Sequence, residues 1–268
     1  MKNDPRIEAA QTELEAGVKA LVSSEDWKRH LETQARFHRY SFQNVLWLAI
    51  QAAKREMPLS KVAGFNTWKD LGRFVKKGER ALNVLAPMLG KKTDEETGEE
   101  RRVIYGFKVV SVFDMSQTDG AELPEVCHDV DGNGEAYKAL TDKLAAFSAS
   151  RSVPVTFTDC GSAQGSFNRM DKAIKVRPEM GDLQTAATLV HEVAHSLLHT
   201  EEDDCHSRPE MEVEAESVAF VVMSALGMDV SRCSFGYVAG WSKGDTDLVK
   251  KTADRVQKAA KKILEAVE

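Results

Sequence analysis

The chain has 268 residues, of which 42% are hydrophobic and 29% are charged, as is typical of globular proteins with a sizeable core. It contains no run of 18 apolar residues and no signal-peptide pattern at its start, so we expect a cytoplasmic protein without a membrane span. The net charge of −6 is unevenly spread: residues 1–120 hold 20 Lys and Arg against 17 Asp and Glu, and residues 121–268 hold 16 against 25. The first part is therefore the one suited to a polyanion.

Hydrophobic periodicity predicts helices in the first sixty residues and strands after them. The predicted elements are helices over 5–22 and 25–56, a short helix over 68–74, a turn over 76–80, and strands over 81–89 and 103–113. Residues 117–135 lose this periodicity and are rich in Gly, Asp and Pro, which indicates a domain boundary near residue 125.

The second part also mixes helices and strands. Here we predict a helix over 135–150, a strand over 153–158, a hairpin over 164–176, and helices over 183–199, 209–226 and 245–267. The sequence therefore predicts an α+β protein with two domains, residues 1–125 and 126–268.

The sequence supports neither a cysteine-based metal site nor a calcium-binding loop. The cysteines are far apart and form no C-x-x-C pair, so we expect buried free thiols at Cys127, Cys160, Cys205 and Cys233. A calcium-loop beginning at Asp129, Asp131, Asn133 and Gly134 has Leu140 at its twelfth position, where a bidentate Glu is needed.

The strongest chemical pattern is H-E-x-x-H in the segment TAATLVHEVAHSLLHT. His191 and His195 are four residues apart, so on a helix they share one face and can bind one small cation. Two imidazoles suit Zn²⁺, which lowers the pKa of a bound water to about 7, and Glu192 can then accept the proton of that water. The alternative is a chance pairing of two histidines, but the flanking residues are apolar, as expected for a buried helix with one polar face.

A catalytic zinc of this type needs a third protein ligand, which the acidic helix after residue 208 can supply. Glu212 and Glu216 lie one turn apart on one face. We assign Glu212 as the ligand and Glu216 as the acceptor that orients a histidine ring. We interpret Glu210 and Glu214 as exposed residues of the helix start, favoured by the helix dipole, although the choice among the four glutamates stays open.

Three further residues are considered for this site. His199 follows His195 by four residues, but ligands at i, i+4 and i+8 drift by about 40° around a helix, so we expect a structural or gating role. His206 and Tyr237 are candidates for stabilising the oxyanion of a tetrahedral intermediate, with surface or packing roles as the alternative.

These motifs resemble a known family. The strand and hairpin leading into TLVHEVAHSLLH, followed by EVEAESVAF, are similar to the zincin-like metallopeptidase domains of the ImmA/IrrE and ArdC type. The resemblance implies a zincin-like domain with the H-E-x-x-H helix packed on a small sheet, a Zn²⁺ cofactor, and Glu212 as the third ligand.

The N-terminal part resembles the single-stranded-DNA-binding domain of ArdC-type antirestriction proteins over roughly residues 25–120, in YSFQNVLWLAIQ, VAGFNTWKDLGRFVKKGERALNVLAP and VVSVFDMSQTDG. The resemblance implies a mobile-element protein that protects incoming DNA from restriction. Single-strand sites combine basic side chains with aromatic faces for base stacking. The residues that offer this combination, with Phe74 nearby, are Trp68, Lys69, Arg73, Lys76, Lys77 and Arg80. The alternative is that the aromatic residues belong to the core and the basic ones to a solvated face.

The leading hypothesis is a zinc-dependent metallopeptidase coupled to a single-stranded-DNA-binding domain. One alternative is a DNA-binding antirestriction protein whose metal site is structural and cleaves nothing. Another is a protease of a mobile element that cleaves a repressor and does not bind DNA.

Overall fold

A computed structural model describes residues 5–21, 24–93, 100–121, 134–200, 207–228 and 245–268. The chain folds into two compact units, each built from two stretches of sequence. The first unit combines Met1–Gly17 with Gln43–Glu125, and the second combines Val18–Phe42 with Val126–Glu268. The break near residue 125 coincides with the predicted domain boundary, whereas residues 18–42 pack with the second unit and not, as predicted, with the first.

The helices within the described residues are α1 Pro5–Ala20, α2 Ser24–Arg36, α3 Phe42–Lys54, α4 Phe65–Asp70, α5 Gly134–Ser150, α6 Asp182–Leu198, α7 Arg208–Ala225 and α8 Thr246–Val267. The strands are β1 Val62–Ala63, β2 Arg73–Val75, β3 Leu82–Thr93, β4 Glu100–Asp114, β5 Thr118–Gly120, β6 Val155–Phe157, β7 Gly165–Asn168 and β8 Ala173–Val176. The mixed α+β class is confirmed. Among the residues that the structure describes, no helix has the length and hydropathy needed to span a bilayer.

Two antiparallel sheets belong to the first unit. One has the order β1-β4-β3, with Leu82 paired to Val112 at the buried end of the long β3–β4 ribbon, and the other joins β2 to β5. The predicted helix over 68–74 is wrong in its second half, because Gly72 has φ of 73° and ends the helical stretch before β2 begins.

The second unit holds a three-stranded sheet of order β6-β8-β7, in which β6 runs parallel to β8 and β7 antiparallel to it. Helix α6 packs against β7 and β8 and also contacts α5, α7 and α8. The β7–β8 hairpin and the three C-terminal helices lie where the periodicity predicts them. Strand β7 is an edge strand, so its backbone borders the site described below.

The predicted long helix over 25–56 is interrupted at residues 37–41. The carbonyl groups of His38 and Tyr40 accept hydrogen bonds from the Gln257 amide on α8, each at 2.7 Å. A distant side chain thus satisfies backbone groups that a continuous helix would have paired internally. This tertiary contact spans 219 residues of sequence, so local periodicity cannot indicate it.

Candidate metal centre

Helix α6 presents its histidines on a polar strip of a largely apolar surface. Leu189, Val190 and Val193 are fully buried, whereas the side chains of His191 and His195 keep 23% and 15% exposure. Those two histidines border a cavity of about 1590 Å³, which is also lined by β7 and α7. The burial pattern therefore turns the H-E-x-x-H face of α6 toward open space.

Helix α7 supplies the facing carboxylate. It begins with a capping box in which Glu210 accepts a hydrogen bond from the Ser207 backbone N–H at 2.6 Å. One half-turn later Glu212 points into the same cavity with 43% of its side chain exposed. Glu210 thus serves the helix start, as predicted, and Glu212 faces the histidines.

Three donor atoms converge at this point. The Nε2 atoms of His191 and His195 are 3.0 Å apart, and Glu212 Oε2 lies 3.3 Å from the first and 3.6 Å from the second. Ligands held about 2.0 Å from a tetrahedral Zn²⁺ are separated by about 3.3 Å, so the three atoms match three corners of such a site. Among the residues described, this is the one group of three His, Cys, Asp or Glu side chains with such convergence.

The ionisation of the three groups follows from their contacts. Hydrogen bonds from His191 and His195 hold the pKa of Glu212 far below its usual range, despite partial burial. Burial lowers the pKa of His191, but the hydrogen bond to Glu212 and nearby carboxylates raise it further, so the net shift is upward. For His195 burial dominates and the pKa is lowered. The cluster therefore carries a permanent carboxylate beside two imidazoles, a donor set that suits a divalent cation.

Glu192 lies beside this cluster but is not one of its converging donors. The pKa of Glu192 is raised to about 7, chiefly by burial and also by Glu212, while His191 and a hydrogen bond from the Phe167 backbone oppose the shift. Its carboxylate sits directly under β7, because a Cβ atom built at Gly165 would lie 3.1 Å from Glu192 Oε1. Glycine at this position leaves the space that the carboxylate occupies.

A buried network behind His195 was not predicted from the sequence. His199 Nδ1 lies 2.9 Å from His195 Nδ1, and His199 Nε2 lies 2.9 Å from Glu214 Oε2. Glu214 is fully buried, so its interpretation as an exposed residue of the helix start is wrong. Glu216 lines the cavity and raises the pKa of His191, while its role in orienting a histidine ring stays a prediction.

The residues proposed to bind DNA fall into two groups. Trp68 is a core residue whose indole N–H donates to the Phe113 carbonyl at 2.9 Å, so its ring is not available for base stacking. Arg73 donates to Thr118 Oγ1 at 2.8 Å, and Lys76 donates to the Ser116 carbonyl at 3.0 Å, so both tie parts of the first unit together. The remaining three basic side chains are exposed: Lys69, Lys77 and Arg80.

Exposed aromatic rings do occur in this segment. Phe65 on α4 and Phe74 on β2 are 55% and 61% exposed, and the two elements are in contact. Phe74 was noted in the sequence beside the basic residues, but nothing there distinguished it from Trp68 as the exposed ring. Phe65 was missed, because an aromatic residue at the start of a short helix is usually a core residue.

Several sequence predictions concern residues outside the described ranges. These are the oxyanion candidates His206 and Tyr237, the calcium-like residues 129–133, and the cysteines Cys127, Cys205 and Cys233. The fourth cysteine, Cys160, is a half-buried free thiol.

Comparisons with known proteins show where this chain has relatives. It is 26% identical over 290 residues to the uncharacterized protein pXO2-81 of Bacillus anthracis, covering 92% of this chain and 48% of that protein. The chain therefore spans about half the length of this curated relative.

Two solved structures align with most of the chain. Both are crystal structures of the antirestriction ArdC protein from the R388 plasmid. The metal-free structure is 26% identical with a TM-score of 0.48, and covers 84% of this chain and 84% of that one. The Mn(II)-bound structure is 24% identical with a TM-score of 0.47, and covers 84% of this chain and 87% of that one.

A family model matches the N-terminal part. Residues 8–113 match the model of the N-terminal domain of anti-restriction factor ArdC, which agrees with the resemblance found over residues 25–120. That match stops before residue 126, so the zincin-like resemblance of the second part stays a prediction. The N-terminal part of this chain is thus similar to the N-terminal domain of the anti-restriction factor ArdC.

Proposed function

We propose that this chain is an antirestriction protein of the ArdC kind, whose N-terminal part binds single-stranded DNA and whose C-terminal part holds a divalent cation. The match over residues 8–113 supports the first part of the proposal. The second part rests on the convergence of His191, His195 and Glu212. The match also favours antirestriction over a protease that does not bind DNA.

The cation site has the character of an open site. Three donors from the chain face a large cavity, whereas structural zinc sites are closed by four protein ligands. A bound Zn²⁺ would supply a Lewis acid and a water of lowered pKa. Its ligands would be His191 and His195 through Nε2 and Glu212 through Oε2.

The test of the cation site is isothermal titration calorimetry of the full chain with ZnCl₂ and, in a second series, with MnCl₂. His195→Ala and Glu212→Ala should each lose measurable Zn²⁺ binding, because each removes one of three donors. Glu210→Gln is the matched control, since it leaves the donors untouched and keeps an oxygen for the Ser207 N–H. Equal binding by the wild type and His195→Ala would refute the assignment.

A second candidate function, metal-dependent amide hydrolysis, is favoured by one observation, the position and ionisation of Glu192. A carboxylate with a pKa of about 7 at the cavity wall can accept a proton near neutral pH and return it to a leaving amine. Glu192→Gln should keep Zn²⁺ bound and abolish this chemistry. The variant also separates the two functions: full protection of DNA entering a restricting host by Glu192→Gln would mean that antirestriction does not need the carboxylate.

The proposed DNA surface is the segment from Phe65 to Arg80, with the exposed rings of Phe65 and Phe74 as stacking platforms and Lys69 and Lys77 as phosphate contacts. Stacking of one base contributes about 1–3 kcal/mol, so Phe74→Ala should weaken binding by about 5- to 150-fold. The measurement is fluorescence anisotropy of a labelled single-stranded oligonucleotide at two salt concentrations. Phe157→Ala, which removes an exposed ring from the second unit, is the control and should change nothing. Absence of salt-sensitive binding by the wild type would refute the DNA proposal.

A further inference from the structure

The cavity beside the donor cluster carries positive charge on part of its wall. The arginines that line it are Arg208, the first residue of α7, and Arg169, in the turn that follows β7. Arg208 Nε lies 4.0 Å from Glu212 Oε1, so this guanidinium already faces a donor carboxylate. Among the residues that the structure describes, no carboxylate lies within ion-pair distance of Arg169. The guanidinium of Arg169 is therefore the one that a ligand can engage.

The turn after β7 fixes the backbone of Arg169. The Asn168 side-chain oxygen accepts hydrogen bonds from the backbone N–H groups of Met170 at 2.9 Å and of Asp171 at 3.3 Å. The amide nitrogen of the same side chain donates to Asp171 Oδ2 at 2.7 Å. An asparagine that binds the backbone two residues later stabilises a turn. Arg169 lies inside this turn, so its side chain starts from a defined position at the end of β7.

From this turn the Arg169 side chain reaches α7. It is half-buried, and its Nη2 contacts the thioether of Met211, which directly precedes the donor Glu212 in the chain. A thioether sulfur is a weak acceptor, whereas a guanidinium presents its N–H donors in a planar fork that fits a carboxylate. The contact with Met211 therefore holds the guanidinium at the cavity wall and leaves donors for a stronger acceptor.

The other charges of the cavity indicate what kind of anion can bind there. The carboxylates that line it are those of Asp182, Glu192, Glu212 and Glu216. A nucleic-acid strand carries a phosphate charge at every nucleotide and would bring several of them near these carboxylates. A peptide with a single acidic group can place that group at the guanidinium and its neutral backbone along the edge strand β7. The charges therefore favour a peptide over a nucleic acid.

We propose that Arg169 is a specificity-determining residue that binds a carboxylate of a peptide held in the cavity, from an Asp or Glu side chain or from the end of the peptide. The carboxylate accepts parallel hydrogen bonds from the guanidinium, as is common for such pairs. The inference rests on the proposed function, metal-dependent amide hydrolysis, for what happens to the bound peptide. The contact itself needs no cation, so it can be measured in the metal-free protein.

The first test follows the arginine Nε–H signals of the metal-free full chain by ¹H–¹⁵N NMR, with the Arg169 signal identified by its absence in Arg169→Lys. The probes are short acetylated alanine peptides: an amidated peptide with one Glu, its amidated Gln counterpart, and the Gln peptide with a free terminal carboxylate. We expect an acidic probe to move the Arg169 signal and the neutral probe to leave it in place. Movement by the amidated Glu peptide identifies a side chain as the source, and movement by the free carboxylate identifies the peptide end.

Two outcomes of this test would overturn the proposal. One is an equal response of the Arg169 signal to the neutral and the acidic peptides. The other is movement of that signal by a single-stranded oligonucleotide when no acidic peptide moves it, because the guanidinium would then bind phosphate. Both outcomes can be read whether or not the protein binds Zn²⁺, so failure of the cation site leaves this test intact.

The second test measures dissociation constants of the responding acidic peptide and its neutral counterpart by calorimetry. A charge-assisted contact at a half-buried site should make the acidic peptide bind about 5- to 50-fold more tightly. Arg169→Gln should remove this preference. Arg169→Lys should keep part of it, because an ammonium retains the charge but not the planar fork.

Arg177→Gln is the matched control. Arg177 is also half-buried and follows a strand of the same sheet, but it donates to the Gly161 carbonyl and does not line the cavity. Its replacement should leave the preference for the acidic peptide unchanged. If Arg169 only ties the turn to Met211, Arg169→Gln should weaken both peptides by the same factor. A preference that persists in Arg169→Gln would therefore overturn the proposal.

Discussion

At the scale of single residues, Gly165 determines how closely β7 can approach α6. A Cβ atom at this position would lie 2.7 Å from Thr188 Cγ2 and 3.0 Å from Glu192 Cγ, both on α6. Both side chains are buried, although both also line the cavity. The strand and the helix can therefore approach this closely because residue 165 has no side chain.

Replacing this glycine tests the close approach. Gly165→Ala should destabilise the protein by about 1–3 kcal/mol, the usual cost of an extra methyl group in a packed interior. Urea unfolding measures the change. Ser166→Ala, one residue along the same strand but exposed, is the matched control and should stay within about 0.5 kcal/mol of the wild type. An unchanged midpoint for Gly165→Ala would mean that β7 moves away without cost.

His30 is a second residue whose setting has a measurable consequence. Its ring is 4% exposed and lies among aromatic neighbours, with centroids 5.9 Å from Trp27 and 5.2 Å from Phe42. Burial lowers its pKa to about 4, and Gln34 offsets part of this shift. The folded state therefore disfavours the protonated ring, which the unfolded chain accepts below pH 6.5.

Stability should consequently fall with pH between 6.5 and 4. Above pH 6.5 the ring is neutral in both states, and below pH 4 it is protonated in both, so the loss occurs within that window. At pH 5 it amounts to about 2 kcal/mol. Leucine cannot titrate. Between pH 8 and pH 5 the free energy of unfolding of His30→Leu should therefore fall by about 2 kcal/mol less than that of the wild type. Parallel pH curves for the two proteins would contradict the assignment.

The residues of the candidate site were predictable to different degrees. The spacing of His191, Glu192 and His195 on one helix predicts that they lie at the candidate site. The position of Glu212 on the following acidic helix predicts it as a further ligand. The burial of Glu214 could not be predicted, because it depends on the approach of Arg255 from a helix 41 residues later. An acidic residue near a helix start is exposed in most proteins, and only the tertiary partner reverses that expectation.

At the scale of elements, α2 and α7 are joined by one buried hydrogen bond. The indole N–H of Trp27 donates to Ser217 Oγ at 3.0 Å, and both residues are 1% exposed. Because a buried donor without a partner is costly, the two side chains should be energetically coupled.

A double-mutant cycle measures this coupling. Trp27→Phe leaves the Ser217 hydroxyl without its donor, and Ser217→Ala leaves the Trp27 indole N–H without its acceptor. The double variant should be more stable than the sum of the two losses predicts, with a coupling of about 1 kcal/mol in chemical denaturation. Strictly additive losses would indicate that each polar group finds another partner.

Most elements were predictable from periodicity, and the exceptions have local or tertiary causes. The helices α5 to α8 and the β7–β8 hairpin follow the apolar spacing of their sequences. The end of α4 depends on the positive φ of Gly72, a conformation that the sequence permits without requiring. Between α2 and α3 the chain contacts Gln257, and no local pattern encodes that contact.

At the scale of the whole molecule, the second unit is completed by a segment from the first part of the chain. Residues 18–42 contribute α2, whose buried residues include Trp27 and Leu31. Loss of a buried Trp side chain alone costs about 3–5 kcal/mol, a large fraction of the stability of an ordinary domain. We therefore expect the C-terminal stretch alone to fold poorly.

Two fragments test this organisation. Residues 126–268 alone should unfold without a sharp transition, whereas residues 18–42 joined to 126–268 by a flexible Gly-Ser linker should unfold cooperatively. Thermal unfolding followed by near-ultraviolet circular dichroism compares the two. A sharp transition at the same temperature for both fragments would show that α2 is dispensable.

The contact between Trp27 and Ser217 also has a consequence for biosynthesis. The two residues are 190 positions apart, and translation proceeds at about 5–20 residues per second, so α2 leaves the ribosome about 10–40 s before its partner helix does. During that interval the apolar face of α2, with its indole ring, is open to other chains and to chaperones. We expect the yield of folded protein to depend on what covers that face while the rest of the chain is still being made.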